Sequence, residues 1–575
     1  MALHAVRRRP VKPRLLLAAA LFATGCGHAP APVETASPPS DYFRDVTAES
    51  GIKFEHAQSR DHAVMFLPET LGPGVASFDF DGDGGQDLYF VQGSGHTDGK
   101  DPATVPASHL YRNAGTGPRF DEVGAASSAA FKGWGQAVLA CDWNNDGYTD
   151  LIITSYMEPV ALLTNRGDGT FETTRGTRGL PAGDRWWSSA TALDLNRDGF
   201  LDLYLGSYVK FGPADWNPDP PIVEFGGLHL PQTMAPTPYA PADNAFLQNR
   251  GDGSWQDDTK ALNLADSAGR TLAVIAADLD QDGWTDLFVA NDVSPCALFH
   301  NEKGQMEDIA DRAFVSESRG SMGLALGDVD HDGAFDIACS HWVGDVAALY
   351  RHVDGPKLAY QDIAPRAGFG GMPRERVGWG IGWRDLDGDG LEDILIVNGH
   401  TSYQVKGKLD AQPPSILFGR PNGTLQPWFP QPNAIGPLNT PIVGRGAAFT
   451  DVDNDGKVDV AVGVNNGPAA LWLGRPNSGH WIGFQPVGTL SNRNAIGAIL
   501  DVASGTVARH AQVVSGDSFF STSDARVLVS LGMAGGAAPE SVRVTVRWPS
   551  GRRESFEGLA ADRYHRLVEG TGQKS

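Results

Sequence analysis

The chain has 575 residues, 41% of them hydrophobic and 20% charged, so it can bury a large core and is not a disordered tail. Asp and Glu outnumber Lys and Arg by 69 to 46, and the resulting formal charge of −23 repels phosphate and excludes nucleic acid as the main partner. Gly (70) and Pro (38) make it turn-rich, its four Cys are too few for a disulfide scaffold, and no apolar run reaches the ~20 residues of a membrane span.

In chain order the first element is an address. Arg7, Arg8, Arg9, Lys12 and Arg14 precede an apolar stretch from Leu15 to Ala23, and Ala23-Thr24-Gly25-Cys26 follows. A basic start, a short apolar core and small residues before a cut mark a secretory signal over 1–25. The small residues before Cys26 resemble a bacterial lipobox, with Ala23 where Leu is commonest. That resemblance implies lipidation of Cys26 and anchoring to the membrane of a bacterial envelope. Residues 26–41, rich in Pro, Ala and Ser, read as a flexible tether. Removing 1–25 deletes five bases and no acid, which takes −23 to −28. Cys141, Cys296 and Cys339 remain, an odd number in apolar runs, expected as buried free thiols.

From residue 42 a repeat organises the chain. The pattern D-x-[DN]-x-D-G-x-x-D occurs seven times, with starts separated by 63, 52, 84, 50, 57 and 66 residues. Ca²⁺ takes six to eight hard oxygens, and carboxylate or amide oxygens at positions 1, 3 and 5 of a tight loop can converge on one point. Gly at position 6 permits the turn, position 7 offers a backbone carbonyl whatever its side chain, and Asp at position 9 closes the cage. The candidate ligands are Asp79, Asp81, Asp83, Gly85 and Asp87; Asp142, Asn144, Asp146, Tyr148 and Asp150; Asp194, Asn196, Asp198, Phe200 and Asp202; Asp278, Asp280, Asp282, Trp284 and Asp286; Asp328, Asp330, Asp332, Ala334 and Asp336; Asp385, Asp387, Asp389, Leu391 and Asp393; and Asp451, Asp453, Asp455, Lys457 and Asp459. Up to seven Ca²⁺ are expected, with weaker binding where Asn144 and Asn196 remove a charge.

An EF-hand is excluded. Its Glu at position 12 is replaced by Phe90, Ile153, Leu205, Val289, Cys339, Ile396 and Val462, and the flanks are short apolar runs such as AVLAC and DLIIT, which read as strands. Each unit continues with an L-x-x-N-like segment, a turn and an F-x-D-x-T-like strand, giving about four strands per unit. Tandem four-stranded units are propeller blades, so 42–474 is expected to be a seven-bladed β-propeller. The seventh unit stops at Leu471–Gly474 without its last strand, and FRDVT at Phe43–Thr47 is that missing strand. The N-terminus should therefore complete the last blade and close the ring. The longest spacing holds a Pro-rich insertion, 211–245, expected as a loop on one rim.

Beyond 478 the pattern ends, and alternating runs to 571 read as a small antiparallel β domain of about six strands. Counting back from the first Asp of each loop, Trp134, Trp186 and Arg270 stand at −8 and Trp379 and Arg445 at −6. The even offsets place them on one strand face at the mouth opposite the loops, where they could bind an anionic or glycan ligand. RGD at Arg166–Asp168 recurs in the same turn at Asn249–Gly253 and reads as a hairpin turn. His400 and His480, each flanked by Gly, are read as structural.

The seven loops resemble the FG-GAP/VCBS, integrin-like repeats. VNGH (Val397–His400) and RGAAFTDVDNDG (Arg445–Gly456) resemble bacterial relatives of cartilage acidic protein. SNRNAIGA (Ser491–Ala498), VVSGDSFFSTSD (Val513–Asp524) and VRWPSG (Val546–Gly551) resemble the ASPIC/UnbV domain. The resemblance implies an all-β protein, a calcium-binding propeller followed by a small β domain, and no particular reaction. The expected function is a lipid-anchored, monomeric envelope module that binds or adheres to a glycan or protein. The alternatives are an enzyme with its site at the propeller mouth and a scaffold of an envelope complex.

Overall fold

The computed structural model describes residues 42–575 apart from 58–65, 94–105, 116, 184, 218, 226–227, 354–357, 402–409, 430–435, 476–478 and 534–540. The signal, the tether and Cys26 lie outside the described residues. Of the chain's two compact units, the one described is Ser40–Ser575.

Each repeat folds into a four-stranded antiparallel sheet, and seven such sheets are present among the described residues. Their first strands are Val75–Phe78, Gly135–Cys141, Trp187–Leu193, Thr271–Ala277, Ser321–Gly327, Gly378–Arg384 and Gly444–Thr450. Each is almost wholly buried, because both of its faces pack on neighbouring sheets. Each first strand adjoins the next in sequence, and Gly444–Thr450 adjoins Val75–Phe78, so the sheets form a closed ring. In every sheet the acidic loop joins the first strand to the second, which begins at the position-9 Asp, from Asp87 through Asp459. The expected order of strand, loop and strand is what the backbone adopts.

The ring closes by the expected exchange. Phe43–Asp45 pairs antiparallel with Ala470–Gly474, Phe43 opposite Gly474 and Asp45 opposite Trp472. Thr47 Oγ1 accepts a further bond from the Leu471 N–H at 2.9 Å. Phe43 is buried against Trp428, Val458 and Trp472, so the N-terminal strand contributes core packing as well as hydrogen bonds.

The Pro-rich insertion carries two short 3₁₀ turns, Pro213–Asp215 and Gln232–Met234, and a hairpin of Ile222–Phe225 with Leu228–Pro231. Cys141, Cys296 and Cys339 are buried and free, as their apolar settings imply.

The terminal domain differs from expectation in two respects. It has eight strands rather than six, reaching Gln573–Lys574, in one three-stranded and one five-stranded sheet. Gly479–Val487 also pairs parallel with Tyr564–Val568, an arrangement permitted by the long crossover through the other sheet. The domain shares an apolar cluster with the ring: Leu139, Trp143 and Leu203 on one side, Ile482, Val502 and Val544 on the other.

Phe43→Ala should destabilise the chain by roughly 3–5 kcal/mol, the range for emptying a buried aromatic site. Arg44→Ala, at an exposed pair with Glu49, should change stability by under about 0.5 kcal/mol. Denaturant unfolding of the two variants measures the difference.

Candidate metal centres and the ring axis

The seven loops share one hydrogen-bond pattern. The position-1 carboxylate accepts the N–H of the position-6 Gly in all seven, at 2.8–3.0 Å. The position-5 carboxylate accepts the N–H of position 7, at 2.8–2.9 Å from Gly85 to Lys457. The position-9 Asp spans the loop, with Oδ2 on the N–H of position 2 and Oδ1 on an N–H of the third strand, as for Asp87 with Phe80 (2.9 Å) and Asn113 (2.8 Å). Positions 4 and 6 are left-handed throughout. Non-Gly position-4 residues Asn145, Arg197, Gln281, His331 and Asn454 have φ of 57–60°.

These bonds fix carboxylates close together without neutralising them. Three acidic ligand atoms lie mutually within 4.8 Å in Asp79/Asp81/Asp87, Asp278/Asp280/Asp282, Asp328/Asp330/Asp332 and Asp385/Asp387/Asp393. All-oxygen donor sets of this kind suit a hard divalent cation such as Ca²⁺. In loops two and three the Asn amide substitutes locally, Asn144 Nδ2 donating to Asp146 (2.8 Å) and Asn196 Nδ2 to Asp198 (2.9 Å).

Three further residues belong to these sites and were not singled out from the sequence. His300 Nδ1 lies 2.9 Å from Asp286 Oδ1 and forms a possible ligand group with Asp280 and Asp286. Arg112 pairs with Asp81 (2.6 Å) and Arg351 with Asp330 (2.8 Å). All three stand just before the L-x-x-N asparagine or its equivalent, and a basic residue there was the available signal. The asparagines themselves link adjacent loops. Nδ2 of Asn113, Asn165, Asn249 and Asn301 donates to the position-2 carbonyl of the preceding loop: Val452, Phe80, Trp143 and Leu195.

Burial, followed by the charge of Asp79 and Asp81, pushes Asp87 up to about 8, and burial together with neighbouring Asp residues pushes Asp150 to about 9 and Asp278 and Asp336 to about 8.

The residues proposed for a ligand mouth are brought together, but as a plug. Trp134, Trp186 and Trp379 are buried with Leu67, Phe211, Tyr239 and Phe520. Tyr156 packs edge-on against both Trp134 and Trp186, each at 5.1 Å. Arg445 is fully buried over the Trp379 ring at 4.2 Å and donates to the carbonyls of Thr70, Gly399 and Gly444. Arg270 is half-buried and donates to the Tyr239 carbonyl at 3.1 Å. These side chains offer packing surface rather than an open mouth. Offset parity is also broken by register shifts in the first strands, between Gly378 and Ile381 and between Gly444 and Ala447.

The axis is filled by the terminal domain. Segment 515–524 bonds to the first strand of every sheet: Thr522 O to Ser77 N (3.0 Å), Phe520 O to Val138 N (3.0 Å), Ser515 Oγ to Ala192 N (3.0 Å), Ser515 O to Ala276 N (2.9 Å), Ser518 O to Leu324 N (3.1 Å), Ser518 Oγ to Ile381 N (3.3 Å) and Ser523 Oγ to Phe449 N (3.2 Å). Gly516 is required there, because its φ is 82° and a Cβ would sit 2.1 Å from the Val274 carbonyl oxygen. RGD behaves as a turn, with Arg166 N donating to Thr170 O and Thr170 N to Asp168. The His400 N–H donates to Asp410 O, and His480 Nδ1 lies 2.8 Å from Asp562.

The ring, its acidic loops and its docked terminal domain define an all-β repeat protein. The FG-GAP-like repeat family matches residues 79–153, 142–205, 278–339 and 385–462, and the ASPIC and UnbV family matches 488–574. Cartilage acidic protein 1 of Xenopus tropicalis is 25% identical over 369 residues, 62% of this chain and 51% of that protein. The Mus musculus protein of that name is 23% identical over 527 residues, 87% and 74% of the two chains. The Homo sapiens protein is 25% identical over 363 residues, 60% and 49%. The chain carries FG-GAP-like repeats followed by an ASPIC and UnbV domain, and it is homologous to cartilage acidic protein 1. It spans about half the length of two of these relatives. Crystal structures of BBS1N in complex with ARL6DN, soaked with mercury or lead, overlay with TM-scores of 0.38 and 0.40 at 10% and 9% identity, over 76% of this chain and 98% of those.

Protons and metal compete for the buried carboxylates. Their raised values mean that, without metal, they add stability at low pH that is lost as pH climbs through about 8–9. In chelator the melting temperature should therefore fall between pH 5.5 and 8.5. A scan at the two pH values checks the sign.

Proposed function

We propose that the chain is a calcium-stabilised binding module that works outside the cytoplasm, with Ca²⁺ held by the seven loops and Cys26 lipidated. The observation that carries the reading is the convergence of three carboxylate oxygens in pre-formed loops whose backbone bonds leave the remaining oxygens free to coordinate. The calcium would lower the repulsion among buried Asp residues and tie each second strand to its loop. Homology to cartilage acidic protein 1 and the FG-GAP-like repeats support a binding or adhesion role and an extracytoplasmic setting. Among the described residues no helix is long and apolar enough to cross a membrane. The terminal domain covers part of the loop face, so the binding surface is assigned to the opposite rim, where the Pro-rich insertion exposes Ile222.

Each site at a hundredfold excess of metal over its Kd adds ~2.7 kcal/mol. Millimolar Ca²⁺ should raise the melting temperature of residues 27–575 well above its value in EGTA. Asp87→Asn should shrink the rise by about one site's share. An unchanged melting temperature would overturn the calcium assignment. For the anchor, Cys26→Ser should abolish incorporation of labelled fatty acid.

A further inference from the structure

A chamber of about 590 Å³ lies between loops five, six and seven of the ring, the last contributing Lys457, and the terminal domain. That volume falls within the range of small-molecule sites. The terminal wall follows from strand alternation. Val544 and Val546 belong to the apolar cluster, while Asp501, Arg543 and Thr545, on the opposite strand face, line the chamber. Arg553 and Arg509 join them, and Arg384 enters from the ring.

Four arginines around one chamber are notable in a chain of net charge −23. The acids that face them are already committed. Asp328, Asp332 and Asp385 belong to the metal loops, Glu392 accepts the Asp328 N–H at 2.9 Å, and Asp501 is held by His510 at 2.7 Å and Arg553 at 3.7 Å. Arg384 reaches Asp517 at 3.3 Å. Arg543 has no ion-pair partner among the described residues. His510, which stacks on Phe335 at 4.9 Å and lines the chamber, keeps its Nε2 buried without a hydrogen-bond partner among the described residues. With Nδ1–H turned to the Asp501 carboxylate, Nε2 is an acceptor, and leaving it buried and unpaired costs free energy that a ligand hydroxyl would recover.

We propose that this chamber binds a small organic anion bearing two or more oxyanion groups, held between Arg543 and Arg553 on one wall and Arg384 on the other. Forked guanidinium donors suit carboxylate and phosphate oxygens alike. The proposal rests on the metal reading of loops five and six, because empty loops would leave three carboxylates facing the anion.

The test is isothermal titration of the full mature chain in millimolar Ca²⁺. The probes are succinate, ribose 5-phosphate and succinamide, the uncharged analogue of succinate. The comparison protein is R543Q/R553Q, altered at two exposed positions, and its calcium-dependent melting shift confirms its fold. Binding of one or both anions, at least tenfold weaker in R543Q/R553Q and absent for succinamide, is the expected result. Which anion binds identifies the oxyanion. If wild-type protein shows its calcium-dependent melting shift yet binds neither anion, or if R543Q/R553Q binds as tightly, the chamber proposal alone is overturned. If wild-type protein shows no calcium shift, the metal reading falls and this proposal with it.

Discussion

A ring of seven sheets brings seven first strands to one axis, and the inward edge of each carries backbone N–H and C=O groups with no neighbouring strand. Buried groups of this kind cost free energy unless they are paired. Segment 515–524 supplies the partners. Three of its residues pair as strands do, Ser518 with Leu324 and Ser515 with Ala276 antiparallel and Thr522 with Ala76 parallel, and Ser hydroxyls add bonds to the N–H groups of Ala192, Ile381 and Phe449. Phe519 and Phe520, stacked at 3.9 Å, carry the same segment into the aromatic plug, where Phe519 meets Trp379. The terminal domain thus acts as an axle, and the ring depends on it for the hydrogen bonding of its centre.

The acidic loops and the axle are parts of one construction. The face that bears the loops is the face on which the terminal domain rests. Tyr564 OH donates to Asp451 Oδ2 at 2.8 Å, Asn494 Oδ1 accepts the Asp142 N–H at 2.7 Å, and Arg526 reaches both the Asp451 carbonyl and Asn454. The loops also contact one another. Asn145 Nδ2 donates to Gly199 O, Gln281 Nε2 to Gly333 O and Asn454 Nδ2 to Gly84 O. A change in the charge of one loop is therefore felt by its neighbour and by the domain above it, through contiguous hydrogen bonds.

The ring was legible because its signal is periodic. The acidic motif, the flanking apolar runs and the orphan strand at Phe43 recur or complement one another, and repetition reports topology even when each copy is weak. The axle was not legible. VVSGDSFFSTSD is mostly Ser, Thr, Gly and Asp, and nothing local says that its hydroxyls meet strands hundreds of residues away. Its one anomaly was a Phe pair amid Ser and Thr, a composition unsuited to an exposed loop. The mouth was misjudged for a related reason. Trp134, Trp186, Trp379 and Arg445 do converge, but offset counting cannot register the bulges in the first strands, nor the helix Leu67–Leu71 and the Pro-rich insertion that cover them. Arg445, buried with four carbonyl partners, shows how a charge can be placed for architecture alone.

Native-state hydrogen exchange tests most directly whether the axle and ring are one cooperative unit. The amides of Ser518 and Thr522 on the axle should open with the same free energy as those of Leu324 and Ser77 on the strands they bond. All four should lose protection together when metal is stripped by chelator. Fast exchange at Ser518 and Thr522 beside slow exchange at Leu324 and Ser77 would show that the ring stands without its axle and would contradict this account.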